Sequence, residues 1–138
     1  MPELPEVETT IRYLDSKVNA KKILSITTSK KKLRKNLHTT NLIAIEGSVI
    51  KFVDRKAKYI VLTLKPHKYL VIHLGMSGRL KFFKKKNYIN EKHDHVVMEF
   101  SQFNVVFNDP RRFGMFFMLE DDRELHNFIW MRIYISFI

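Results

Sequence analysis

Three residues at the start of the chain could together do covalent chemistry: Pro2, Glu3 and Glu6, within Met1-Pro-Glu-Leu-Pro-Glu-Val-Glu-Thr-Thr10. Removal of Met1 before a small residue would leave the secondary amine of Pro2 as the N-terminus. A free α-amino group titrates at about 7.7–8.0, so a useful fraction is neutral and nucleophilic near pH 7. Condensed with an aldehyde, a secondary amine gives an iminium ion that is already cationic and acts as an electron sink without further protonation. Glu3 adjoins that amine, and Glu6 stands three residues on, where a helix would put both carboxylates on one face. Taken alone, the same letters favour an ordinary helix start, with prolines in the first turn and acids near its positive end.

Further along, four short stretches carry residues suited to holding a polyanion. Arg55-Lys-Ala-Lys58-Tyr59 precedes a strongly β-forming run. Strand geometry would send Lys56 and Lys58 to one face, although edge-strand lysines that discourage aggregation explain the pattern as well. His73-Leu-Gly-Met76-Ser-Gly78-Arg-Leu80 encodes a tight turn. Its glycines allow unusual backbone angles and put Met76 at a tip, as a flexible wedge or folded back into the core. Lys92-His93-Asp-His95-Val96 pairs two histidines at i and i+2. Without a third clear ligand it is a poor metal site; a phosphate contact by one of the two histidines fits the charge better, and a structural pair is about as good a reading for His95. Asp109-Pro-Arg111-Arg112-Phe113-Gly114 brackets two arginines and an aromatic in a turn. Arginine's planar fork suits a base edge or a phosphate, and phenylalanine can enter a base step. The competing reading pairs Arg112 with Asp109 and buries Phe113.

The elements that must position these residues can be read from periodicity. Leu4, Val7, Ile11, Leu14 and Val18 follow helical spacing and predict a helix from about Pro5 to Val18. Lys21 to Thr28 reads as a strand. Leu37 to Ile50 is ambiguous, and Ser29 to Lys35 is a basic run expected to form a solvated loop. From Val49 onward the pattern is β: Val49–Asp54, Lys58–Lys65, Tyr69–Leu74, Arg79–Phe83, His95–Phe100, Phe103–Asn108 and Met115–Leu119 are short, apolar and punctuated by turn residues. So many short strands suggest a sandwich or a barrel. Glu120 to Phe128 reads as a short helix. The apolar end, Phe128 to Ile138, is expected either to pack as a last strand or to be an aggregation hazard.

Composition narrows the function. The 138 residues suggest one domain with a real core, and 45% are apolar. Lys and Arg total 25 against 14 Asp and Glu, a net charge of +11 that favours nucleic acid over a membrane surface as partner. There is no cysteine, hence no disulfide and no cysteine zinc site in this chain. No signal-peptide pattern opens the chain and no apolar run reaches membrane-span length, so a cytoplasmic location is expected.

Taken in order, Met-Pro-Glu-Leu-Pro-Glu-Val-Glu-Thr, Arg-Lys-Ala-Lys-Tyr, His-Leu-Gly-Met-Ser-Gly-Arg-Leu, Lys-His-Asp-His-Val and Asp-Pro-Arg-Arg-Phe-Gly resemble the bacterial formamidopyrimidine-DNA glycosylases over roughly Met1 to Phe128. The sister branch, endonuclease VIII, typically opens Met-Pro-Glu-Gly-Pro-Glu and lacks the Gly-Met-Ser-Gly turn, so Leu4 and Met76 favour the formamidopyrimidine side.

The resemblance implies a mainly β fold with flanking helices, a two-sheet β-sandwich behind an N-terminal α-helix. It implies excision of oxidised purines such as 8-oxoguanine and formamidopyrimidines, then strand cleavage by β,δ-elimination. By resemblance, Pro2 attacks the sugar C1′ as nucleophile, Glu3 moves protons at the deoxyribose and Glu6 supports the centre. Lys58 binds the phosphate beside the lesion and assists elimination. His93 and Arg111 contact DNA, and Met76, Arg111 and Phe113 fill the gap left by a flipped base, whose unstacking costs a few kcal/mol. The implied partner is double-stranded DNA with an oxidised purine or an abasic site, bound by a monomer associated with the bacterial nucleoid. No cofactor is expected in this chain.

The family pattern is about twice as long. Its helix–two-turn–helix region and four-cysteine zinc finger have no counterpart here, and residues 129–138 are expected to be non-homologous. A weakly active remnant, or a non-catalytic basic nucleic-acid-binding β domain, therefore stands beside the enzyme reading.

Overall fold

The computed structural model describes residues 3–29, 33 and 42–134. Helix α1 (Leu4–Val18) opens the chain and buries Val7, Ile11, Leu14 and Val18 as one stripe. Leu4, expected on that stripe, remains 42% exposed at the helix's first position, so burial begins one turn later. Glu3 is the cap residue, with extended backbone angles, and Glu6 lies in the first turn, where its charge complements the helix dipole.

Eight strands form two antiparallel four-stranded sheets. One has the order β2 (Val49–Lys56), β3 (Tyr59–Lys65), β4 (Lys68–His73), β8 (Met115–Leu119); the other has β1 (Ser25–Thr28), β6 (Asp94–Glu99), β7 (Phe103–Asn108), β5 (Arg79–Lys84). The sandwich reading and its N-terminal helix are correct. Alternate residues of facing strands fill the space between the sheets. Ile60, Leu62, Leu64, Leu70, Ile72, Phe116 and Met118 from the first meet Val96, Met98, Val105 and Phe107 from the second, together with the α1 stripe.

The first sheet is buried on its other face as well, which explains why β3 and β4 read as almost continuous apolar runs. Val71, Met115 and Phe117 there form a second cluster with Tyr59, Leu119 and Phe128. Phe128 belongs to α2 (Asp122–Ile129), capped by Asp121, whose Oδ1 accepts the Glu124 N–H at 2.9 Å. Tyr69 donates to Asp122, and Lys68 pairs with Glu120 at 3.0 Å, fastening α2 to β4.

Two expectations are corrected. Lys21 to Thr28 is not one strand. Its first half bonds to the start of β2 and the residue before it (Ile50 N–H to Lys21 O 3.0 Å, Ile23 N–H to Ser48 O 2.9 Å), and its second half crosses to the other sheet as β1. A β-branched run carries no mark of such a change of partner. Within the apolar end, Trp130–Tyr134 is not a strand but continues α2 as a π-helical turn, with Trp130 52% and Met131 61% exposed; residues 135–138 lie outside the described residues. Short apolar runs do not separate helix from strand by periodicity. Within the ambiguous stretch ahead of β2, residues 42–47 form a helical turn that buries Leu42 and Ile45. Most of the basic run from Ser29 to Lys35 lies outside the described residues.

Candidate functional site

The candidate residues fall into two groups on neighbouring elements. The first surrounds the start of α1. Pro2 lies outside the described residues. Glu3 follows it directly, with an exposed side chain that makes no capping hydrogen bond, and Glu6 is exposed too. Because Glu3 is the extended cap residue, its carboxylate leaves from the head of the helix rather than from a helical turn, unlike that of Glu6.

Lys58 reaches this region by a route the sequence did not signal. It does not share a strand face with Lys56. Lys56 and Tyr59 pair across a two-residue hairpin whose loop is Ala57-Lys58. Ala57 has φ +54°, a left-handed conformation that a non-glycine residue adopts at a cost. Arg55 braces the loop. Its Nη1 donates to the Ala57 carbonyl at 2.7 Å, while its Nε donates to Glu8 on α1. The hairpin bearing Lys58 is thereby tied to the helix whose first residues bear the carboxylates.

The second group is a pair of turns locked face to face. Gly75 has φ +60°, and a Cβ built on it would lie 2.5 Å from Gly114 N and 2.6 Å from Phe113 C, so two backbones touch where only glycine fits. Asp109, fully buried, holds the contact: Oδ1 accepts the Ser77 hydroxyl at 2.7 Å, and Oδ2 accepts the Gly114 N–H at 2.8 Å. Ser77 Oγ in turn accepts the Arg111 N–H at 2.9 Å. The lock leaves Met76 41% and Phe113 45% exposed, with the Arg111 guanidinium 5.6 Å from the Phe113 ring centroid. Neither Met76 nor Phe113 folds into the core. Arg112 is not held by the Asp109 carboxylate, whose two oxygens serve Ser77 and Gly114; it turns the chain at φ +60° and stays exposed.

The histidines separate as their surroundings dictate. His95 is buried, its Nε2 2.8 Å from the Asp109 carbonyl and its Nδ1 3.2 Å from Ser29 Oγ. A carbonyl only accepts, so Nε2 carries the proton and the Ser29 hydroxyl donates to Nδ1 in the neutral ring. His95 is therefore structural. His93 is half-buried, and its carbonyl accepts the Asp109 N–H at 3.0 Å, which ties its backbone to the residue that opens the arginine turn. Between them, Asp94 accepts from Asn108 Nδ2, Tyr88 Oη and the Glu91 N–H at 2.9, 3.0 and 2.9 Å and pairs with Lys81 at 3.1 Å. Burial pushes its carboxyl pKa up, but the bonds from Asn108, Glu91, Lys81 and Tyr88 outweigh this and hold it below the usual range. Among the described residues, no three His, Asp or Glu side chains gather as metal ligands.

His73 links the two groups, a role its sequence position did not suggest. It stands opposite Tyr59 in the ladder with ring centroids 4.8 Å apart, and its Nδ1 accepts the Gly75 N–H at 2.9 Å. One side of this histidine thus adjoins the Lys58 hairpin and the other begins the Met76 turn. Arg55, Ser77 and Asp109 were likewise legible only as members of their motifs. What they do depends on partners far away in sequence.

The arrangement offers exposed carboxylates at a helix start, a lysine on a braced hairpin, and a Met–Arg–Phe surface set by a buried carboxylate. Comparison with known proteins bears on it directly. Residues 1–116 match the family model described as the formamidopyrimidine-DNA glycosylase N-terminal domain. The formamidopyrimidine-DNA glycosylase of Wolbachia pipientis subsp. Culex pipiens (strain wPip) is 40% identical over 129 residues, covering 93% of this chain and 47% of that protein. Among solved structures, MutM in complex with DNA containing carbocyclic 8-oxo-G superposes with a TM-score of 0.82 at 31% identity, covering 93% of this chain and 48% of that one. Lactococcus lactis Fpg in complex with DNA containing an abasic site does so with a TM-score of 0.82 at 29% identity and the same coverage. The chain spans about half the length of these relatives.

Proposed function

Since this chain belongs to the formamidopyrimidine-DNA glycosylase family through its N-terminal domain, we propose that it is a DNA glycosylase and abasic-site lyase acting on oxidised purines. In this reading the Pro2 amine attacks C1′ of the damaged nucleotide and loses its proton as the bond from C1′ to the base breaks; O4′ then leaves C1′, taking a proton from Glu3, and the opened sugar is held as an iminium ion. Glu3 shuttles protons at the deoxyribose, with Glu6 in support. The iminium acidifies the C2′ proton; its loss expels the 3′ phosphate, and a second elimination expels the 5′ phosphate. Lys58 neutralises the phosphate beside the lesion. Met76, Arg111 and Phe113 occupy the space of the extruded base, Arg111 facing the orphaned cytosine and His93 a backbone phosphate.

The observation that carries this reading is the lock between the two turns. A buried carboxylate, two glycines and a serine hold a methionine, an arginine and a phenylalanine out in solvent together. Large apolar side chains kept exposed by a rigid frame are suited to inserting into something, and +11 of net charge suits a polyanion. Incubation with a duplex containing one 8-oxoguanine tests it. A cut with phosphate at both new ends supports the full reaction, and an intact strand contradicts it.

The net charge of +11 also fits a second reading, in which this domain binds DNA through its basic surface without turning it over. Affinity in that reading comes from phosphate contacts and falls with salt in proportion to their number. Binding without cleavage would select this reading.

A further inference from the structure

We infer that Arg55 is a positioning residue that sets the direction in which Lys58 leaves the β2–β3 hairpin; this rests on the reading of Lys58 proposed above. The carbonyl of Ala57 belongs to the same planar peptide as the nitrogen of Lys58. A hydrogen bond to that oxygen, 2.7 Å from Arg55 Nη1, therefore fixes the plane from which Lys58 departs. The same guanidinium donates through Nε to Glu8, so the plane is set relative to α1 and not merely within the hairpin. Ala57 at φ +54° has no intrinsic preference for its conformation, and the brace supplies what a glycine or asparagine would otherwise supply.

Two bonds in different directions from one rigid fork are something only arginine offers. A lysine at this position would satisfy Glu8 or the Ala57 carbonyl, with no fixed angle between them. The Arg55 and Glu8 side chains are 35% and 42% exposed, and a pair so placed contributes little to stability. Its value lies in geometry, where a displacement of about 1 Å can cost on the order of 100-fold in rate.

The test compares the full chain with Arg55→Ala, Arg55→Lys and Glu8→Gln. Four readouts apply: melting temperature, affinity for an abasic duplex, the rate of borohydride trapping at saturating DNA, and the backbone amide resonance of Lys58. Arg55→Ala should trap about 10- to 100-fold more slowly, with affinity and melting temperature close to those of the parent. Arg55→Lys should fail to restore the rate, and Glu8→Gln should move the Lys58 amide in the same direction as Arg55→Ala. Unchanged trapping, or a loss that merely follows the melting temperature, would overturn the inference. If the parent chain itself does not trap, the proposed function fails. The positioning claim is then decided by the Lys58 amide alone, which must move in both variants.

Discussion

Ser77 and Asp109 are 32 residues apart in sequence, and the Ser77 hydroxyl donates to Asp109 Oδ1 at 2.7 Å. That bond joins the turn bearing Met76 to the turn bearing Arg111 and Phe113. The second carboxylate oxygen serves the Gly114 N–H, so one buried anion satisfies donors from both turns. Removing it leaves a buried donor unpaired at a cost of roughly 1–3 kcal/mol. Asp109→Ala should therefore lower stability by about that amount. Asp109→Asn, which keeps one acceptor oxygen, should lose less. Denaturant titration of both variants checks the order, and equal losses would show that the carboxylate's bonds are not what holds the turns.

Gly75→Ala probes the same contact from the backbone side. Its Cβ would stand 2.5 Å from Gly114 N, in a residue already at φ +60°. Neither turn can yield without breaking the Asp109 bonds. Amide exchange at residues 75–78 and 111–114 should accelerate together, while the β3–β4 ladder stays protected. Faster exchange confined to residues 75–78 would mean that the two turns move independently.

The sandwich was readable because its signal is local. Val7, Ile11, Leu14 and Val18 mark one helix face, and each strand from β2 to β8 is a short apolar run closed by turn residues. The motif residues were readable for the same reason. What escaped was whatever depends on a distant partner. Arg55 reaches Glu8 across 47 positions, and nothing in Arg-Lys-Ala-Lys announces a left-handed alanine. The β pattern therefore puts Lys58 in a strand, whereas it lies in the hairpin loop. Lys21 to Thr28 changes sheets midway because its hydrogen-bond partners, Ile50 and Glu99, lie on different layers.

Phe128 closes the outer face of the first sheet, its ring set edge-on to Tyr59 and Phe117 at 5.0 and 5.3 Å. Phe128→Ala should cost about 1–3 kcal/mol, less than the ~3–5 of a fully buried phenylalanine because the residue is only half-buried. Thermal unfolding measures it. The neighbouring Trp130, more than half exposed, should be replaceable by alanine at little cost.

Asp94 makes stability depend on acid. Its folded pKa is lowered, so its contribution is present in full above the unfolded carboxylate value of about 4 and is lost as pH falls from there through the lowered folded value. Unfolding midpoints between neutral pH and pH 3 should fall less steeply for Asp94→Asn than for the parent. Parallel curves would place the acid sensitivity in other carboxylates.

The proposed reaction turns on the N-terminal amine as nucleophile. The most direct measurement is borohydride trapping on a duplex with one abasic site, using chain whose Met1 is shown by intact mass to be absent. The expected result is a covalent protein–DNA adduct that disappears in Glu3→Gln and when Met1 is retained. No adduct from a chain with a free Pro2 amine, or an adduct that persists when Met1 blocks that amine, would contradict it.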